Sequence, residues 1–152
     1  MELELDVIVN VALPPEIVPH VLDELVSFIL QAEDASGTWN IAVVLTDDEH
    51  LRTLHRDFMG IDTVTDVMTF PVTDPGSEVN MGAGGDIIVS VDRAAFQGTD
   101  FGNSVAEEVC FLVVHGLLHL CGWNDSTDAE RSLMLDRQRQ LIVEFERRSR
   151  TS

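Results

Sequence analysis

The sequence reads as an α/β fold: one small domain with a mixed sheet of about four strands, packed by about five helices. Three observations predict it. Short apolar runs of strand length alternate with longer stretches of helical periodicity. The chain has 152 residues, enough for one domain with a proper core. No internal repeat, linker or low-complexity tract divides residues 1–152, so they are read as a single domain.

Leu3, Leu5, Val7, Val9 and Val11 alternate with polar residues, which marks a half-buried strand over residues 2–11. Pro14 and Pro15 end it, and Pro15 suits a helix start. Ile17, Val18, Val21, Leu22, Leu25, Phe28 and Ile29 then recur at helical spacing, predicting an amphipathic helix over about 15–33. After a turn at Ala35-Ser36-Gly37, residues 39–45 form a second strand. Thr46 with Glu49 fits a capping box for a short helix over 47–58, its inner side made by Leu51, Leu54 and Phe58. Residues 59–64 are a loop and 66–71 a third strand. Residues 73–84, rich in Asp, Pro, Gly and Asn, read as a surface loop. Residues 85–90 are apolar enough for a central strand.

A short helix follows over about 91–98, then a long buried helix over 104–121. Thr127 with Glu130 makes a second capping box and opens the last helix. Leu133, Met134, Leu141, Ile142 and Phe145 supply its apolar stripe. The sheet is expected to be mixed, because its first two strands are joined through a helix and its last two through a loop.

Net charge is −18, without a single lysine, which disfavours general attraction to nucleic acid. Residues 1–130 carry only Arg52, Arg56 and Arg93 as fixed cations, whereas 131–150 carry six arginines. That last segment is either a solvated helix end or a phosphate-contacting patch. No apolar run reaches the roughly 18 residues of a membrane span, and the acidic start lacks the features of a signal peptide. A cytoplasmic protein with no membrane partner is expected. Cys110 and Cys121 lie about 16 Å apart if they share one helix, too far for a disulfide.

The chemistry concentrates in HGLLHLCGWND, residues 115–125. His115 and His119 are four apart, so one helix face carries both imidazoles. Gly122 stops the helix, and Asp125 can return as a third ligand. Two histidines and a carboxylate with coordination left open suit a catalytic metal. The spacing resembles that of zinc peptidases, but those carry a glutamate general base after the first histidine. Here that position is Gly116.

The same stretch resembles the H-G-x-L-H-L-x-G-[YW]-D-H signature of YbeY-type proteins. Residues 65–71, Thr-Asp-Val-Met-Thr-Phe-Pro, are similar to that family's T-D-V-L-S-F-P, and residues 85–90 to its G-D-I-x-I-S. Glu108, Glu130, Met134 and Gln138 also match. The resemblance implies a metal-dependent endoribonuclease that cleaves single-stranded RNA in ribosomal RNA processing and ribosome maturation. Its partners would be single-stranded RNA, ribosomal RNA or the ribosomal subunit. It implies one zinc ion, or another divalent metal, on His115, His119 and Asp125, activating a water for attack on the phosphodiester.

Two departures stand out. Asp125 occupies the place of the family's third histidine, giving a set also used by non-haem iron enzymes. Met59 occupies the place of an arginine expected to engage phosphate, and Val64 that of a proline. Arg56 is the candidate substitute for substrate binding. Asp66, Asp86 and Glu108 are the candidates for a general base, each with a structural alternative. The competing reading is a non-catalytic ribosome- or protein-binding factor that keeps the fold and perhaps the metal.

Overall fold

A computed structural model describes residues 1–72 and 83–151. Most of the loop expected at 73–84 lies outside these residues. The elements run β1 (Glu2–Val9), α1 (Pro19–Ala32), β2 (Thr38–Thr46), α2 (Asp48–Met59), β3 (Val67–Pro71), β4 (Ala83–Ser90), α3 (Val91–Phe101), α4 (Val105–Leu120) and α5 (Asp128–Thr151). The expected mixed α/β sheet is present, with strand order β1-β2-β4-β3. β1, β2 and β4 are parallel, and the edge strand β3 runs antiparallel to β4.

Alternation along the strands divides the interior in two. Ile41, Val43 and Leu45 of β2 join Ile87 and Val89 of β4 in the larger core, beneath α1, α4 and the inner stripe of α5. Val44, Ile88 and Met68 face the other way and pack with Leu51 and Leu54 of α2. α2 and α4 therefore lie on opposite faces of the sheet.

Three local expectations are corrected. The first helix starts at Pro19, not near residue 15. Pro19 forces Val18 out of the helical region, to φ −106° and ψ 111°, so a helix begun at Pro15 cannot run through it. α2 is capped by Asp47, whose carboxylate accepts from the His50 N–H at 2.9 Å. Thr46 belongs to β2 and bonds the His50 ring instead. Two side chains expected to face inward do not: Leu133 is 63 % exposed, off the buried stripe of α5, and Phe58 on α2 is 67 % exposed. The second predicted box is present: Thr127 and Glu130 exchange both bonds, at 3.1 and 3.2 Å.

α4 is the organising helix. Ser104 and Glu107 close a full capping box at its start. Val109, Leu112, Val113, Val114, Leu117 and Leu118 are buried along its length. Gly116 lets it approach the sheet. A Cβ there would meet Ile87 Cγ2 at 2.7 Å. Ile87 is fully buried on a central strand and β-branched, so it has little room to yield.

Both cysteines are free thiols. Burial, reinforced by Glu146 and Glu107, pushes Cys110 up to about 11, and burial with Glu33 pushes Cys121 up to about 11.

Three expectations follow. Gly116→Ala should destabilise the fold by ~1–3 kcal/mol through overpacking, read from the urea midpoint. The native thiols should alkylate at pH 8 far more slowly than in urea, as mass spectrometry would show, because only thiolate reacts. A thiol held protonated longer in the native state binds more protons there than when unfolded. Stability should therefore fall as pH rises from the ordinary 9.0 towards 11.

Candidate metal centre

The site forms where α4 ends. The N–H of Gly122 donates to the His119 carbonyl at 3.0 Å, and that of Trp123 to the Leu118 carbonyl at 2.9 Å. This paired closure, with Gly122 at φ 101°, reverses the chain. Asp125 is thereby returned to the helix face bearing the two histidines. The ligand atoms of His115, His119 and Asp125 all lie within 4.8 Å of one another. Among the described residues this is the one such group of histidine, cysteine and carboxylate side chains.

The two imidazole Nε2 atoms are 3.0 Å apart, and Asp125 Oδ2 is 3.6 Å from His115 Nε2 and 3.4 Å from His119 Nε2. The three side chains are 23 %, 27 % and 38 % exposed, so the group is partly buried yet reachable from solvent.

The partners of the other ring nitrogens decide the tautomers. His119 Nδ1 lies 3.0 Å from the Trp123 carbonyl, which can only accept, so Nδ1 carries the hydrogen. His115 Nδ1 lies 3.0 Å from Gln138 Oε1. The Gln138 amide donates through Nε2 to the Phe111 carbonyl at 3.4 Å, which turns its oxygen towards His115. His115 Nδ1 is therefore a donor as well. In the neutral rings both Nε2 atoms then present lone pairs to each other, beside a carboxylate. Such a triad repels itself unless a cation sits among its members. A four-coordinate divalent ion with N and O ligands at about 2.0–2.1 Å sets neighbouring ligand atoms about 3.3 Å apart. The observed separations bracket that value, and the donor set fits a zinc-like ion. The Nδ1 bonds are the outer supports that metal-binding histidines characteristically have.

Gln138 is a residue whose role sequence reasoning missed. It is 1 % exposed and continues the buried line Met134–Gln138–Leu141 on α5. A polar residue interrupting an apolar helical stripe was the available signal.

The other candidates lie apart. Arg56 is in the last turn of α2, on the opposite face of the sheet, and its Nε donates to Asp57 at 3.2 Å. Arg52 holds Asp62 at 2.8 Å, and this hydrogen bond draws the Asp62 carboxyl below its usual range. Met59 and Val64 are 62 % and 40 % exposed. Asp66 accepts from the Gln97 amide at 3.3 Å, Glu108 is buried and accepts from Asn103 at 3.0 Å, and Asp86 is exposed on β4. Gly116 faces Ile87 and the sheet rather than the triad, so no side chain there could act as a peptidase base.

Comparison with known proteins agrees with this architecture. Residues 10–146 match the family model described as Endoribonuclease YbeY. The chain belongs to the YbeY endoribonuclease family. A relative named Endoribonuclease YbeY in Bacillus velezensis is 35 % identical over 131 residues, covering 82 % of this chain and 83 % of its own. One of the same name in Geobacillus thermodenitrificans is 33 % identical over 131 residues, covering 82 % and 84 %. The solution structure of a Thermotoga maritima protein superposes with a TM-score of 0.65 over 97 % of this chain and 93 % of its own. At 21 % identity it shows the shared fold. In this family frame Asp125 is a carboxylate where the YbeY signature has histidine.

Gln138→Leu should leave His115 Nδ1 without its acceptor and weaken zinc binding by about 10- to 100-fold, measured by competition with a chromophoric chelator.

Proposed function

We propose that the protein is a metal-dependent endoribonuclease acting on single-stranded RNA. Its place is in ribosomal RNA processing and ribosome maturation in the cytoplasm, with ribosomal RNA or the ribosomal subunit as partner. The observation that carries this reading is the convergence of His115, His119 and Asp125, with both imidazoles turned so that Nε2 is the free acceptor. Membership of an endoribonuclease family supplies the substrate class.

His115 and His119 would hold the ion through Nε2 and Asp125 through Oδ2, with zinc the first choice. When bound, a divalent cation supplies Lewis acidity, lowering the pKa of a water and polarising a phosphoryl oxygen. The remaining chemistry belongs to the chain itself. Gln138 and the Trp123 carbonyl fix the two rings, so little reorganisation is needed on loading. The one anionic ligand, Asp125, donates more charge to the ion than a third imidazole would, and so tempers its acidity. Arg56, on the opposite face of the sheet and paired with Asp57, would meet only phosphates that run beyond the triad, and only by leaving Asp57.

A second reading, a ribosome- or protein-binding factor without catalysis, is favoured by one observation. Where the family pattern has a phosphate-engaging arginine, Met59 presents 62 % of its surface to solvent and offers no charge.

One experiment separates the two. Untagged protein with its metal measured, and its His115→Ala/His119→Ala variant, are incubated with single-stranded RNA. The nuclease reading expects cleavage by the parent and none by the variant, with RNA binding that weakens steeply with salt. Equal cleavage by both ends it, and stoichiometric metal without cleavage favours the binding factor. Asp125→His combined with Met59→Arg should raise the rate.

A further inference from the structure

We propose that Glu33 is the positioning residue of the metal centre, setting the His119 imidazole through Trp123 and the α5 wall through Arg137. The inference rests on the metal reading above. Glu33 is the C-cap of α1, 82 positions before His115 by residue number, and nothing in its local sequence marks it as part of a site.

Its carboxylate joins two structures that bear on the histidines. One oxygen, Oε1, accepts from the Trp123 indole N–H. The other, Oε2, accepts from Arg137 Nη2 at 2.8 Å and Nε at 3.2 Å. Arg137 Nη2 also donates to the Ala32 carbonyl at 3.4 Å, and its Nη1 to Gln140 at 3.0 Å. The Glu33 side chain is only 10 % exposed and that of Arg137 21 %. A carboxylate so enclosed holds a fixed geometry, because releasing either partner leaves charge poorly solvated.

The consequences meet at the two imidazoles. Trp123 gives its side-chain N–H to Glu33 and its carbonyl to His119 Nδ1. Fixing the indole therefore fixes the acceptor that selects the His119 tautomer. Arg137 immediately precedes Gln138, the acceptor for His115 Nδ1. Pinning Arg137 to the end of α1 sets how α5 seats Gln138 against α4. One carboxylate thus ties down both outer supports, although it touches neither ligand. The surrounding ion pairs do not do this: Arg131–Asp128 on the same helix is 57 % and 100 % exposed and joins residues three apart.

The test uses full-length protein and the variants Trp123→Phe and Glu33→Gln, with Arg131→Gln as control. Two quantities are measured: the imidazole ¹⁵N shifts of His119 in chelator-treated protein, and the zinc dissociation constant by chelator competition. Circular dichroism monitors folding. At a pH where the imidazole spectrum is that of the neutral ring, the parent and Arg131→Gln should show the single tautomer with hydrogen on Nδ1. Trp123→Phe and Glu33→Gln should show mixed tautomers and zinc binding weaker by about 10- to 100-fold, the range for lost outer support of a metal ligand. Trp123→Phe keeps an aromatic ring in place, so it carries the test should Glu33→Gln fail to fold. His119 shifts and zinc affinity identical to the parent's in folded Trp123→Phe overturn the proposal. A parent that binds no zinc overturns the metal reading instead, and the ¹⁵N comparison still decides the role of Glu33.

Discussion

Two imidazole nitrogens facing each other at 3.0 Å, both with their lone pairs forward, form the constraint on which the rest of the structure depends. That arrangement is unfavourable in itself, and the fold imposes it through ordinary means. Four-residue spacing puts both rings on one face of α4. Burial of the opposite faces of α4 in the core stops the helix from turning away. The glycine closure after Leu120 then brings Trp123 and Asp125 back over the helix end. Each is a local rule of helix geometry, and together they concentrate donors where one cation satisfies all of them.

The sheet contributes by what it permits. The parallel pairing of β2 and β4 presents Val43, Ile87 and their neighbours as one apolar floor for α4. The glycine between the paired histidine turns lets the helix settle on that floor. Gly116 therefore has a packing reason that is independent of chemistry, and the same reason removes a peptidase-like base from this family member. The antiparallel β3 caps the far edge and carries Val-Met-Thr-Phe-Pro, residues 67–71, beside β4.

Much of this was legible in the sequence because its signals are local. Apolar alternation marked β1, a short apolar run marked β4, a longer one marked α4, and a capping box with an apolar stripe marked α5. The pair His115–His119 and the return of Asp125 followed from spacing alone. The misplaced start of α1 shows where a local rule overrode another: Pro15 suits a helix start, but Pro19 forbids the helix behind it. Strand order was not legible, since nothing in β4 says that it inserts between β2 and β3. The outer supports were hidden for a related reason. Gln138 stands 23 positions from His115, and Arg137 stands 104 from Glu33. Only tertiary packing makes them neighbours. A buried glutamine within an apolar stripe was a readable hint; a glutamate after a surface helix was not.

The direction of α4 carries a consequence for the order of events on this surface. Its carbonyl-bearing end, the negative pole of the helix dipole, points at the triad, and Asp125 adds a full negative charge there. On a chain of net charge −18, this is ground that repels a phosphodiester and draws in a cation. On the metal reading proposed above, a divalent ion held by His115, His119 and Asp125 would offset that charge, so cation binding would favour the later approach of a polyanion.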